Sequence, residues 1–206
     1  MTDTAPYSPE GLSQQEYQRR LRNVFGQVRS ITRRSKDTAE TMDEFVQHLE
    51  SRLDALLRSQ AMALSGVPVA LDEVVMEALL AFDLAQDERL QAEGEDVVLA
   101  PALASLLGLT MQELVMHSLF YGALSGPDGS VDMRWSHGGD EGELEISWKE
   151  TGRGLQGDRQ RFAFARDLIC EMLPYEIDAR VDLDHGEAAL ECHIHIPSSQ
   201  FDGRHG

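Results

Sequence analysis

Between Glu16 and Lys36 the apolar residues Tyr17, Leu21, Val24, Val28 and Ile31 recur in steps of four and three. That is the seam of a helix that packs in a bundle, and the pattern predicts its end near Ser35. A second helix is predicted to start between Asp37 and Thr41, where Asp37, Thr38 or Thr41 can cap and Thr41 with Glu44 has capping-box spacing. Its apolar stripe runs through Met42, Phe45, Val46, Leu49, Leu53, Leu56, Leu57 and Leu64. So short a connection makes the two helices antiparallel neighbours. A lone helical hairpin has a seam but no enclosed core, so a homodimer through residues 14–64, forming a four-helix bundle, is expected. The alternative is docking of the hairpin on the rest of its own chain.

The segment SGVPV at 65–69 marks a boundary. Beyond it the pattern predicts a short helix with Val75, Leu79, Leu80 and Phe82 apolar, a strand at 88–93 and a turn at Gly94 to Asp96. A helix at 101–121, apolar almost all round and so buried, follows. Strands at 130–136 and 143–149, a helix at 159–172, and a hairpin of 176–184 and 188–196 turning at Asp184-His185-Gly186 complete the chain. Residues 66–200 therefore read as an α+β domain, several antiparallel strands with helices on one face. Residues 1–13 and 201–206 are expected to be disordered ends.

Charge divides the chain unevenly. Residues 1–65 hold 9 basic and 9 acidic side chains, whereas 66–206 hold 9 basic and 27 acidic, so the formal charge of −18 falls entirely on the second part. Such a surface repels phosphates, so neither nucleic acid nor an anionic membrane is expected as a partner. No basic leader or membrane-length apolar run is seen, and a cytoplasmic location is expected. Cys170 and Cys192 are too few for a disulfide framework and read as reduced core thiols.

The stretches LGLTMQELVMHSLFYGALSGPDGSVDMRW (107–135), ISWKETG (146–152) and RFAFARDLI (161–169), in this order, resemble the ATPase domain of HWE-type sensor histidine kinases. In that family a buried helix carries a His-Glu pair, an Asn and then Tyr-Gly-Ala-Leu-Ser, a Trp-x-Glu motif ends a later strand, and a Gly-Phe-Gly turn lies beyond. The hairpin is similar to the family's dimerisation and phosphoacceptor module, with EYQRRLRN (16–23) in frame with Glu-Leu-Asn-His-Arg-Val-Lys-Asn, and ECHIHIP (191–197) looks like its last strand. The resemblance implies a helical hairpin, here in a dimeric four-helix bundle, followed by a Bergerat-type ATPase-like α/β sandwich.

At several of the functional positions this chain departs from the family. Arg19 stands at the phosphoacceptor position, and a guanidinium is no nucleophile toward phosphorus. Gln112 replaces the His of the His-Glu pair, although Glu113 is kept, as is Tyr121. His117 replaces the magnesium-holding Asn, and Mg²⁺ prefers oxygen ligands, so His117 is read as a core or cleft histidine filling the lost metal site. Ala163 and Ala165 replace the glycines of the phosphate-side turn, where added Cβ atoms oppose close backbone approach. Glu150, with Gly152 and Gly154 after it, keeps the implied adenine-reading carboxylate. Mg-ATP binding is expected to be weak or lost, and no cofactor or metal is expected.

The expected function is that of a catalytically degenerate histidine-kinase-like protein of bacterial two-component signalling. It would be a dimeric partner of a response-regulator receiver or of a kinase, docking an acidic receiver on the cationic stripe of Arg19, Arg22, Arg29 and Arg33. Two enzymatic alternatives stay open: a histidine phosphotransferase-like protein using His48, the one hairpin histidine, or an active kinase with an unusual acceptor. His193 and His195 share one face of a strand and read as structural or surface residues.

Overall fold

The computed structural model describes residues 14–138, 142–152, 162–186 and 189–201, and both expected disordered ends other than Phe201 lie outside them. Two compact units divide within the second helix, Met1–Leu49 and Glu50–Gly206, and not at the expected boundary near residue 65.

In the first unit, helix α1 (Gln14–Thr38) runs three residues past its expected end. It turns through 39–41 into α2 (Met42–Ser65). Thr41 caps the helix as the spacing predicts, while the Glu44 carboxylate reaches back one residue beyond the cap. The Glu44 N–H donates to Thr41 Oγ1 at 3.1 Å, and Glu44 Oε2 accepts from the Glu40 N–H at 2.8 Å. Leu21, Phe25, Met42 and Val46 stay exposed. A buried polar knot closes the turn, where Thr38 Oγ1 lies 3.5 Å from His48 Nδ1.

The second unit holds, among the described residues, a five-stranded sheet in the order β2-β4-β5-β7-β6, with β2 at Leu90–Gly94, β4 at Ser130–Gly138, β5 at Glu143–Thr151, β6 at Arg180–His185 and β7 at Ala189–Ile196. The sequence leads one to expect antiparallel pairing throughout, but β2 pairs parallel with β4. The chain between them includes the 20-residue helix α4 (Pro101–Phe120), the kind of crossover a parallel pair needs. A short antiparallel pair of β1 (Val69–Ala70) and β3 (Val98–Leu99) flanks α3 (Leu71–Leu80).

Strict alternation sorts the strands into two faces. Leu144, Ile146, Trp148 and Glu150 of β5, with Cys192, Ile194 and Ile196 of β7, point inward and pack with α3 and α4. Helix α4 is buried along most of its length, as its all-round apolarity predicts, with Pro101 opening its first turn. Among the described residues it is the one helix long and apolar enough to cross a membrane, and here it is the core of the fold.

The predicted helix at 159–172 continues as α5 (Ala163–Asp167), a π-helical turn (Leu168–Met172) and α6 (Leu173–Ile177), so the last hairpin begins at Arg180 instead of 176. Ile169, Leu173 and Ile177 recur at helical spacing and are buried, and Asp178 stops the helix in a left-handed conformation at φ 52°. Two further expectations are corrected. Phe201, assigned to the tail, is buried beside His137 at a ring distance of 5.3 Å, and Cys170, read as a core thiol, is exposed on the π-helical turn while Cys192 is buried. Burial pushes the Cys192 thiol up to about 12.

Candidate functional site

The site residues singled out in the sequence converge on α4, but its polar side chains serve two separate clusters. Gln112 and Glu113 turn to α2. The Glu113 carboxylate accepts from Arg52 in a bidentate pair, with Nε 3.0 Å from Oε1 and Nη2 3.2 Å from Oε2, and the two side chains are 1% and 3% exposed. Gln112 donates from Nε2 to the Ser51 carbonyl at 2.7 Å and accepts from Arg58 Nη2. Beside them Ser59 and Ser105 hydroxyls meet at 2.6 Å, and Ala55 packs with Leu109 and Leu168. Burial pushes the Glu113 carboxyl up, against the pull of Arg52. Both members of the former His-Glu pair are thus engaged by the second half of α2.

The second cluster lies about one turn further along α4. His117 is buried, its ring 4.6 Å from Phe162 and 5.7 Å from His185, both edge-on, and 6.1 Å from Tyr121. Neither of its ring nitrogens has a hydrogen-bond partner, and Nδ1 stands 3.9 Å from Glu150 Oε1. Glu150, at the inward-facing end of β5, is 0% exposed. Its Oε2 accepts from the Ala123 N–H at 2.7 Å and its Oε1 from the Trp148 indole N–H at 3.1 Å. Burial pushes this carboxyl up, but nearby His117 together with the Ala123 and Trp148 donors outweighs it, and the group is held below the usual glutamate range.

The loop after α4 is shaped around that carboxylate. A Cβ on Gly122 would collide with Glu150 Oε2 and come within 2.8 Å of Ser118 Cα, so only glycine lets the Ala123 amide reach the carboxylate. Gly152, expected to serve a nucleotide, packs against the backbone of Gly129 and Ala123. Gly154 lies outside the described residues. Ala163 and Ala165 do not form a turn but open α5, with Ala165 buried. Glu150 therefore does not present a free adenine-reading carboxylate, because both of its oxygens are already bonded within the chain.

The hairpin candidates fall apart in the same way. Arg22, Arg29 and Arg33 are exposed on α1, whereas the side chain of Arg19 lies outside the described residues. His48 is 1% exposed and held beside Thr38, which removes it from reach as an acceptor. Sequence reasoning missed Arg52, Ser51 and Arg58. A signal was there: His48, Arg52, Ala55 and Ser59 form a small and polar line along α2, distinct from its leucine stripe, at the spacing of one helix face.

The family model for HWE histidine kinases matches residues 16–96. Over that stretch, about two fifths of its length, the chain is similar to HWE histidine kinases. It is 25% identical over 90% of its length to blue-light-activated histidine kinase 1 of Erythrobacter litoralis, covering 52% of that protein. It is 24% identical over 91% to the blue-light-activated histidine kinase of Brucella anthropi, covering 39% of it. The chain thus spans about half or less of these curated relatives. Among solved structures, the histidine kinase domain of an Erythrobacter litoralis blue-light activated histidine kinase superposes with a TM-score of 0.52 at 18% identity, over 88% of this chain and 95% of that one. The chain accordingly shares the histidine kinase domain fold, a mixed architecture of helices and sheet.

Proposed function

We propose that this chain is a catalytically degenerate HWE-type module that works by binding, as a dimeric partner of a response-regulator receiver or a kinase in two-component signalling. The observation that carries this reading is the internal engagement of the nucleotide-side carboxylates: Glu150 bonded to Ala123 and Trp148, and Glu113 bonded to Arg52. The second unit is read as a Bergerat-type ATPase-like sandwich whose ligand-facing groups have turned inward. His117 is a poor magnesium ligand, and it packs among Phe162, His185 and Tyr121, so the residues present do not fit Mg-ATP.

Dimerisation through 14–64 is supported by the exposed apolar residues Leu21, Phe25, Met42, Val46, Leu57 and Leu64, which a second hairpin would cover. The exposed guanidinium groups of Arg22, Arg29 and Arg33 offer an acidic receiver a complementary surface. Burial of His48 argues against the phosphotransferase alternative. Calorimetric titration with Mg-ATP, paired with a radiolabelled phosphate assay, tests the reading: no saturable heat and no label are expected, whereas micromolar affinity or stoichiometric labelling overturns it.

A further inference from the structure

On the open face of the sheet, away from α4, the alternation of β5 and β7 brings together Glu143, Glu145 and His195. Glu145 and His195 are direct cross-strand neighbours, and one ligand atom from each of the three residues lies within 4.8 Å of the others. His195 Nδ1 is 3.7 Å from Glu145 Oε1 and 4.0 Å from Glu143 Oε2. Those separations are too long for hydrogen bonds and a few tenths of an ångström wider than the spacing of about 3.4 Å that tetrahedral ligands at about 2.1 Å require, a gap that small rotations of the exposed Glu145 and partly exposed His195 side chains close. The Nδ1 atom is shielded from solvent and has no hydrogen-bond partner, although the side chain as a whole is 32% exposed. A buried nitrogen left unpaired between two carboxylates costs free energy unless something fills the gap.

We propose that Glu143, Glu145 and His195 form a binding site for a divalent transition-metal ion of the zinc type. One imidazole and two carboxylates suit Zn²⁺ with a fourth position left to water or a ligand. Hard Mg²⁺, with its preference for an all-oxygen octahedron, is disfavoured. Arg180 donates to Glu143 Oε2 at 2.7 Å and acts as the outer partner that orients this carboxylate. Its charge moderates the site's affinity. Beside the triad runs a groove of about 630 Å³ bordered by Glu93, Glu95, Arg134 and His193, from which a ligand can reach the open coordination position. From the sequence, His193 and His195 share a face that Cys192 does not, which offers no metal geometry; the carboxylates that complete the set come from the neighbouring strand β5.

Calorimetric titration of the chelator-treated full chain with zinc chloride tests this, alongside His195→Ala and Glu145→Gln. One equivalent is expected to bind at micromolar affinity, weakened at least tenfold in both variants, with their metal-free melting temperatures unchanged. No saturable binding, or undiminished binding in either variant, overturns the assignment. Cobalt substitution gives a second readout. Weak visible bands from nitrogen and oxygen ligands are expected, and an intense near-ultraviolet thiolate band would overturn the proposal by moving the site to a cysteine.

Discussion

Replacing Arg52 with Met tests the contact that ties α2 to α4. The substitution keeps most of the apolar stem but strands the Glu113 carboxylate, whose partner is now missing at a position 1% exposed. Losing one member of a buried pair costs about 3 to 5 kcal/mol, because the remaining charge is neither solvated nor compensated. With a urea m-value of about 2 kcal/mol per M, the midpoint should fall by roughly 1.5 to 2.5 M. The loss depends on pH in a definite sense. Burial already pushes Glu113 up, and without Arg52 the main opposition to it is gone, so the folded variant holds a proton that the unfolded chain releases above about pH 4.3. The folded state then binds more protons, and stability falls as pH rises from the unfolded value toward the folded one, by up to about 1.4 kcal/mol per unit. Urea unfolding at pH 5 and pH 8 should find the variant closer to the parent at pH 5. The double variant Arg52→Met with Glu113→Leu removes both charges and should recover most of the loss. A single-variant cost under about 1 kcal/mol at pH 8, or a double variant as unstable as the single, would refute the assignment of a buried ion pair.

Glu150→Leu strands the Ala123 and Trp148 donors and should cost about 2 to 5 kcal/mol, read by chemical denaturation with the Trp148 emission reporting the altered environment. Because the Glu150 carboxyl is held low in the folded state, its contribution is present above the unfolded pKa and disappears as pH falls through the folded one, so the difference between parent and variant should shrink on acidification. Gly122→Ala forces a Cβ into Glu150 and Ser118 and should destabilise by at least about 2 kcal/mol, with Gly126→Ala, whose Cβ meets nothing within 4 Å, as the mild control in the same melt. Phe25→Glu with Leu57→Glu places charge on the exposed apolar residues of the hairpin and should shift the sedimentation mass from dimer to monomer while the circular dichroism of the folded chain is kept.

The Arg52 contact and the closed Glu150 cluster bear on the same question. A family position can keep its residue and still lose its role, because a carboxylate serves a ligand only if its oxygens are available. Glu113 and Glu150 both match the motif, and both are bonded within the chain. On the proposed reading, the departures at Arg19, Gln112 and His117 lie in residue identity, whereas those at Glu113 and Glu150 lie in the partners each carboxylate has.

Periodicity alone located the hairpin, the buried helix α4 and all five strands of the larger sheet, with only the start of β6 placed too early, since 3.6-residue and two-residue repeats of apolar side chains are local properties of the chain. Motif order was enough to point to the family, because several short patterns in register are improbable together. Strand β2's parallel pairing, the run of α6 to Ile177, and the grip of α2 on Gln112 and Glu113 were decided only in three dimensions. They depend on which surface each element buries against, and contacts such as Arg52 to Glu113 or Glu143 to His195 join residues more than fifty positions apart. Spacing along a chain specifies the face a side chain occupies. Only packing specifies what stands opposite it.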